Sequence, residues 1–78
     1  MFSFVEENYL KAIYHLSDHG RKSVSTNALA EEMQTTAASV SDMMAKLSKK
    51  KAVDYQKYKG VYVSGKGKEV ALRVIRKH

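Results

Sequence analysis

Short side chains between residues 36 and 42 have the chemistry of a binding surface. They are Thr36, Ala38, Ser39, Ser41 and Asp42. Hydroxyl groups can hydrogen-bond to base edges or to phosphates, an alanine methyl can contact the methyl group of thymine, and a carboxylate can accept from the amino group of cytosine. Because these side chains are short, they also let a helix backbone approach its ligand closely. We therefore interpret them as candidate contacts to double-stranded DNA.

Lysines follow this segment at helical spacing and recur farther along the chain. Lys46, Lys49, Lys50 and Lys51 come first, and Lys59 lies in a later turn. A lysine is a suitable point charge for a phosphate. We expect Lys46, Lys49, Lys50 and Lys51 to suit phosphates, and the later turn adds Lys57 beside Lys59. Of these, we assign Lys46, Lys49 and Lys59 to the DNA-binding surface, together with Thr26 at the start of the preceding helix. The alternative is that the hydroxyls only cap helices and the lysines form a solvated face.

Catalytic chemistry finds little support in the sequence. His15, His19 and His78 are far apart, and no Ser or Asp is paired with them in a recognisable arrangement. The segment Gly65-Lys66-Gly67 lacks the longer glycine-rich pattern of a phosphate loop. No metal-ligand spacing is complete within the chain. We therefore expect neither enzymatic activity nor a small-molecule substrate.

Length and charge are consistent with one small domain that binds a polyanion. The chain has 78 residues, 14 Lys/Arg, 8 Asp/Glu and no Cys, which excludes disulfides and thiolate metal sites. Residues 1–44 carry three Lys/Arg and six Asp/Glu, whereas residues 45–78 carry eleven Lys/Arg and two Asp/Glu. Such a basic half is typical of nucleic-acid binding. No apolar run is long enough to span a membrane, so we expect a cytoplasmic protein.

The elements that must position these residues begin with three helices. Apolar spacing predicts a first helix over residues 4–17 and a short second helix that starts at Ser25 or Thr26 and ends near Met33. The polar turn 34–36 separates it from a third helix over residues 37–50. Two helices joined by three polar residues are typical of a helix-turn-helix.

A β-hairpin and a final helix complete the predicted architecture. Residues 53–57 and 61–63 alternate β-formers with polar residues, and Gly60 supplies the positive φ that a hairpin turn needs. We predict a loop over residues 64–67 and a last helix over residues 66–77, with Val70, Val74, Ala71 and Ile75 facing inward. The fold class is mainly α with a small hairpin, a winged helix-turn-helix.

Several segments carry a more specific similarity. Glu7-Asn8-Tyr9-Leu10-Lys11-Ala12-Ile13-Tyr14 resembles the E-x-Y-L-x-x-I-Y opening of the DtxR/MntR-like family of iron- or manganese-dependent repressors. Further matches to that family are Leu29 to Met33, Ala38 to Ser41, Met44 to Leu47, Val53 with Tyr55, Lys59-Gly60, Val63 to Gly67 and Val74 to His78. The resemblance covers nearly all of the chain.

The resemblance implies a homodimeric transcriptional repressor that binds a palindromic operator when loaded with Fe(II) or Mn(II). The helix over residues 37–50 would enter the major groove, and the hairpin over residues 53–63 would form a wing on the backbone or minor groove. We expect this chain to be the isolated DNA-binding domain, over residues 1–78, without the family's dimerisation and metal-binding domain. An alternative is a winged helix that contacts proteins without sequence-specific DNA binding.

The resemblance also implies positions for metal ligands. His78 matches a histidine ligand of the family, and Asn8 occupies a position where members carry a Met or an Asp ligand. Lys11 stands where manganese-type members carry a Glu ligand, and a protonated lysine cannot ligate. These two departures argue against a manganese-type paired site and leave the identity of the metal open, with iron slightly favoured. One His and one Asn do not close a coordination shell, so we expect no metal bound by this chain alone.

Overall fold

The predicted winged helix-turn-helix is confirmed by the structure, a computed structural model that describes residues 2–56 and 60–76. Its elements are α1 (Phe4–Leu16), α2 (Thr26–Met33), α3 (Ala37–Lys49), β1 (Val53–Gln56), β2 (Gly60–Val63) and α4 (Gly65–Arg76). Three helices, an antiparallel hairpin and a final helix follow one another in the predicted order. None of the described helices has the length and apolarity that a bilayer crossing requires.

Helix α1 begins with a reciprocal pair of capping hydrogen bonds. The Ser3 hydroxyl accepts from the Glu6 N–H at 3.1 Å, and Glu6 Oε1 accepts from the Ser3 N–H at 2.8 Å. These two bonds satisfy donors that a helix start would otherwise leave unpaired. The helix buries Tyr9, Leu10 and Ile13, as its apolar spacing predicts.

Helices α2 and α3 are joined by a tight turn. The N-cap of α2 is Ser25, whose hydroxyl accepts from the Ala28 N–H at 3.0 Å, and Thr26 is the first helical residue. Gln34 ends the helix in the left-handed conformation, with φ 55° and ψ 49°. Thr36 is then the N-cap of α3. The chain therefore reverses within three residues, which places α3 against α2 as a helix-turn-helix requires.

The hairpin is joined by a third segment that the sequence did not predict. Strands β1 and β2 pair from Val53 with Val63 to Gln56 with Gly60. Val24 and Val61 also exchange two backbone hydrogen bonds, each 2.8 Å from N to O. Val24 is buried, although it lies in a stretch that is otherwise polar. This bridge fixes the hairpin against the start of α2.

Helix α4 differs from the prediction at both of its ends. The predicted loop over residues 64–67 is wrong, because Gly65 to Gly67 form the first turn of the helix. The Ser64 hydroxyl accepts from the Gly67 N–H at 3.1 Å and donates to the Lys51 carbonyl at 2.7 Å. A Cβ at Gly67 would overlap the Ala52 carbonyl oxygen, so glycine is required by close packing there. Ile75, predicted to face inward, is instead 41% exposed, near the end of the described helix.

One hydrophobic core connects these elements. Its buried members are Tyr9, Leu10, Ile13, Val24, Leu29, Ala30, Val40, Met44, Leu47, Ala52, Val53, Val61, Val63, Val70 and Ala71. Helix α3 contributes one apolar stripe to this core, which leaves the opposite face of α3 in solvent.

Candidate nucleic-acid interface

The exposed face of α3 is a continuous surface that runs the length of the helix. Ala38, Asp42, Ala45 and Lys49 are all exposed, and their i, i+4, i+7, i+11 spacing aligns them along one side of the helix. Val40, Met44 and Leu47 on the opposite side are completely buried. The core therefore determines which side of α3 a ligand can reach.

The N-terminal end of this face is built by the helix cap. The Thr36 hydroxyl accepts from the Ser39 N–H at 3.1 Å and donates to the Ser39 hydroxyl oxygen at 3.0 Å. Thr36 thus has the capping role that the sequence left open as an alternative. A hydroxyl that accepts one bond keeps its own proton for donation, so Ser39 can still donate outward. Both residues are exposed, whereas Ser41 is half-buried.

The C-terminal end of the face carries lysines in two different environments. Lys46 and Lys49 are exposed, as expected for residues that contact phosphates. Lys50, the C-cap residue, is half-buried, and its ammonium group lies 2.8 Å from Glu6 Oε1. The same ammonium is 5.2 Å from the centre of the Phe2 ring. The structure therefore places Lys50 against α1 and the residues before it, which differs from the expectation that Lys50, like Lys46 and Lys49, suits a phosphate.

Glu6 is held in its charged form by these contacts. The Lys50 ammonium and the Ser3 N–H both donate to its carboxylate and lower its pKa, and they outweigh the opposing effect of burial. The Glu6 side chain is 8% exposed, and the Lys50 side chain is 39% exposed. The S-x-x-E pattern from Ser3 to Glu6 predicts the cap, but nothing local to it predicts Lys50 as a partner.

A groove lined by both polar and apolar residues adjoins the start of α2 and the turn end of the hairpin. Its volume is about 580 Å³. It is lined by Leu16, Lys22, Ser23, Val24, Ser25, Thr26, Ala28, Tyr55, Gln56 and Gly60. Thr26, the candidate on α2, lines this groove and is half-buried. The predicted wing residue Lys59 lies outside the described residues.

The residues proposed as metal ligands do not form a metal site in the described part of the chain. Asn8 lines a groove of about 510 Å³ together with Lys11, His15 and Glu32. An ammonium group in that groove disfavours a divalent cation, and no group of three or more His, Cys, Asp or Glu side chains is suitably placed among residues 2–56 and 60–76. His78 lies beyond the residues that the structure describes. Among the described residues alone, the donors are too few for Fe(II) or Mn(II).

The fold and the exposed α3 define a winged helix-turn-helix protein. Residues 1–61 match the family described as iron dependent repressor, N-terminal DNA binding domain. The chain belongs to this family, and it is a DNA-binding domain of the DtxR/MntR type, as the resemblance predicted.

Two bacterial regulators are similar over nearly the whole chain. The HTH-type transcriptional regulator MntR of Oceanobacillus iheyensis is 33% identical over 72 residues, covering 92% of this chain and 48% of the relative. The protein of the same name from Bacillus velezensis is 34% identical over 73 residues, covering 92% of this chain and 50% of the relative. The chain thus spans about half the length of these relatives.

Proposed function

We propose that this domain recognises specific sequences in double-stranded DNA by placing α3 in the major groove. The observation that carries the proposal is the exposed face of α3, which has short side chains at its N-terminal end and lysines at its C-terminal end. A major groove is wide enough for an α-helix and presents a distinct pattern of donors and acceptors for each base pair. The N-terminal residues of a recognition helix are those that reach the bases.

Base recognition is assigned to the N-terminal half of α3. The Ser39 hydroxyl can donate to a base acceptor, and the Ala38 methyl can contact a thymine methyl. Asp42 lies one turn further on, where its carboxylate can accept from a cytosine amino group. Ser41 contacts DNA from the edge of this face, since it is half-buried. Thr36 contributes by orienting Ser39.

Phosphate binding is assigned to residues around this face. Lys46 and Lys49 bind phosphates beside the groove, and Thr26 at the start of α2 binds the backbone through its hydroxyl. The hairpin acts as a wing along the backbone or minor groove, with Lys59 as its contact. Each lysine that neutralises a phosphate adds about 0.9 to the slope of log affinity against log salt.

We further propose that the protein acts as a homodimeric repressor on a palindromic operator in the cytoplasm. A two-fold operator matches two copies of one recognition helix. The family's description supports iron dependence, and the name MntR of the relatives points to manganese. The described residues do not hold a metal by themselves, so the DNA contacts are those of this chain's own side chains. The proposed activity is binding and not catalysis.

The direct test is selection from a randomised DNA duplex pool, combined with fluorescence anisotropy at several salt concentrations. We expect a steep salt dependence and an enriched half-site sequence. Salt-dependent binding without enrichment would contradict sequence recognition by the isolated domain. Absence of binding at low salt would overturn the proposal and favour a winged helix that contacts proteins.

A further inference from the structure

Glu6 combines burial, charge and a contact with the end of α3. Among the described residues, Glu6 is the one charged residue that is buried. Its Oε1 atom accepts from the Ser3 N–H and from the Lys50 ammonium, both at 2.8 Å. The first of these bonds caps α1, and the second reaches the C-cap residue of α3. One carboxylate oxygen therefore connects the start of one helix to the end of another.

The surroundings explain why this contact affects the geometry of α3. Lysines 46, 49, 50 and 51 lie within six residues of one another and repel each other. The Lys50 ammonium pairs with the Glu6 carboxylate on α1, whereas Lys46 and Lys49 remain exposed to solvent. These two lysines line a groove of about 410 Å³ together with Ser3, Glu6, Met43 and Lys50. Both the ion pair and the two exposed lysines therefore line this groove.

We infer that Glu6 is a positioning residue for DNA recognition: its ion pair with Lys50 fixes the C-terminal end of α3 against α1. Lys50 on this account contacts the protein and does not neutralise a phosphate. The inference rests on the proposed function, since it concerns how α3 is held against DNA. Loss of the carboxylate lets the end of α3 shift, which weakens the contacts of the short side chains at its other end.

The test compares Glu6→Gln with the unchanged chain on two duplexes, the half-site selected by the unchanged chain and a scrambled duplex of equal length. General electrostatics alone predicts tighter binding to both, because the substitution removes a negative charge. We expect instead that the ratio of the two affinities falls about fivefold, in the range that coupling between packed elements covers. The salt slope should stay unchanged, because no phosphate contact is gained or lost.

Matched variants separate positioning from charge and from folding. Glu7→Gln changes the charge by the same amount on the adjacent residue of α1, and its affinity ratio should stay at the unchanged value. In Lys50→Met the affinity ratio should fall as far as in Glu6→Gln, whereas in Lys50→Arg it should keep the value of the unchanged chain. Circular dichroism measures the folded fraction of each variant. Partial unfolding would lower binding to both duplexes equally and would leave the affinity ratio constant.

Two results would overturn the inference. One is an unchanged affinity ratio in Glu6→Gln. The other is a salt slope that rises by about 0.9 in Glu6→Gln, which would show Lys50 released to a phosphate. Failure of the proposed function is distinguishable, because the unchanged chain itself would then prefer neither duplex.

Discussion

The two ends of α3 offer DNA different chemistry, although the same buried stripe supports both. The N-terminal end exposes Ala38, Ser39 and Asp42, which are short and oriented by the Thr36 cap. The C-terminal end exposes Lys46 and Lys49, which are long and flexible. Short side chains on a capped turn are suited to hydrogen bonds of defined direction, whereas flexible cations are suited to phosphates at variable positions.

The two ends of α3 are anchored by different means. Backbone capping holds the N-terminal end, within three residues of sequence. The C-terminal end is held by the ion pair between Glu6 and Lys50, across 44 residues of sequence. A local hydrogen bond and a long-range ion pair therefore orient the same helix.

The largest predicted effect comes from removing the support that both ends share. Leu47 lies on the core side of α3 and is completely buried, so Leu47→Ala leaves a cavity and should cost about 2–5 kcal/mol of unfolding free energy. Urea denaturation followed by circular dichroism measures this loss. Ser48→Ala, on an exposed neighbour, should stay within about 0.5 kcal/mol of the unchanged chain. A loss below about 1 kcal/mol for Leu47→Ala would contradict the central position of this side chain.

A smaller effect is expected when the N-terminal end alone is changed. Thr36→Ala removes the oxygen that accepts from the Ser39 N–H, which should cost about 1 kcal/mol. Base preference should change while the salt slope stays constant, because no lysine is affected. Thr36→Ser keeps the oxygen and serves as the control in thermal unfolding and in DNA selection. Equal stability of the Ala and Ser variants would show that the cap contributes nothing.

The smallest effect concerns the C-terminal end and depends on pH. The pKa of Glu6 is lowered from its ordinary 4.5, so folding favours the charged form. The stabilisation is complete well above pH 4.5 and is lost as the pH falls through the lowered value. Because the Lys50 side chain is 39% exposed, solvent screening limits the contribution to below about 1 kcal/mol.

Urea unfolding between pH 7 and pH 3 measures this dependence. Glu6→Gln should be less stable than the unchanged chain at pH 7, and the difference should narrow in acid. Lys50→Met should likewise be less stable than the unchanged chain at pH 7, and this difference in unfolding free energy should also narrow in acid. A difference that is constant with pH would contradict a charged Glu6 in the folded domain.

Most of the fold could be predicted because the relevant signals are local. The apolar spacing of Tyr9, Leu10 and Ile13 identifies α1, and Val40, Met44 and Leu47 identify the buried side of α3. The loop predicted over residues 64–67 was wrong, because that prediction relied on the tendency of glycine to disfavour helices, whereas α4 begins at Gly65. There, close packing of α4 on Ala52 requires a residue without Cβ, which overrides that preference.

The candidate site was predictable only in part, for a related reason. The exposed residues of α3 follow from the helical period, and Thr36 follows from capping preferences. The bridge between Val24 and Val61 and the pair of Glu6 with Lys50 depend on contacts between distant segments. A single sequence contains no local signal for such contacts. The positions given to Lys59 and His78 stay predictions.

The most direct test of the account compares Asp42→Ala with Lys49→Ala, one substitution at each end of α3. Both variants are measured by DNA selection and by anisotropy at several salt concentrations. We predict that Asp42→Ala changes base preference, by about 1–3 kcal/mol at one position, with little change in salt slope. Lys49→Ala should weaken binding to all sequences and lower the slope by about 0.9. Equal effects of the two substitutions on all sequences would contradict the division of α3 into a base-contacting end and a phosphate-contacting end.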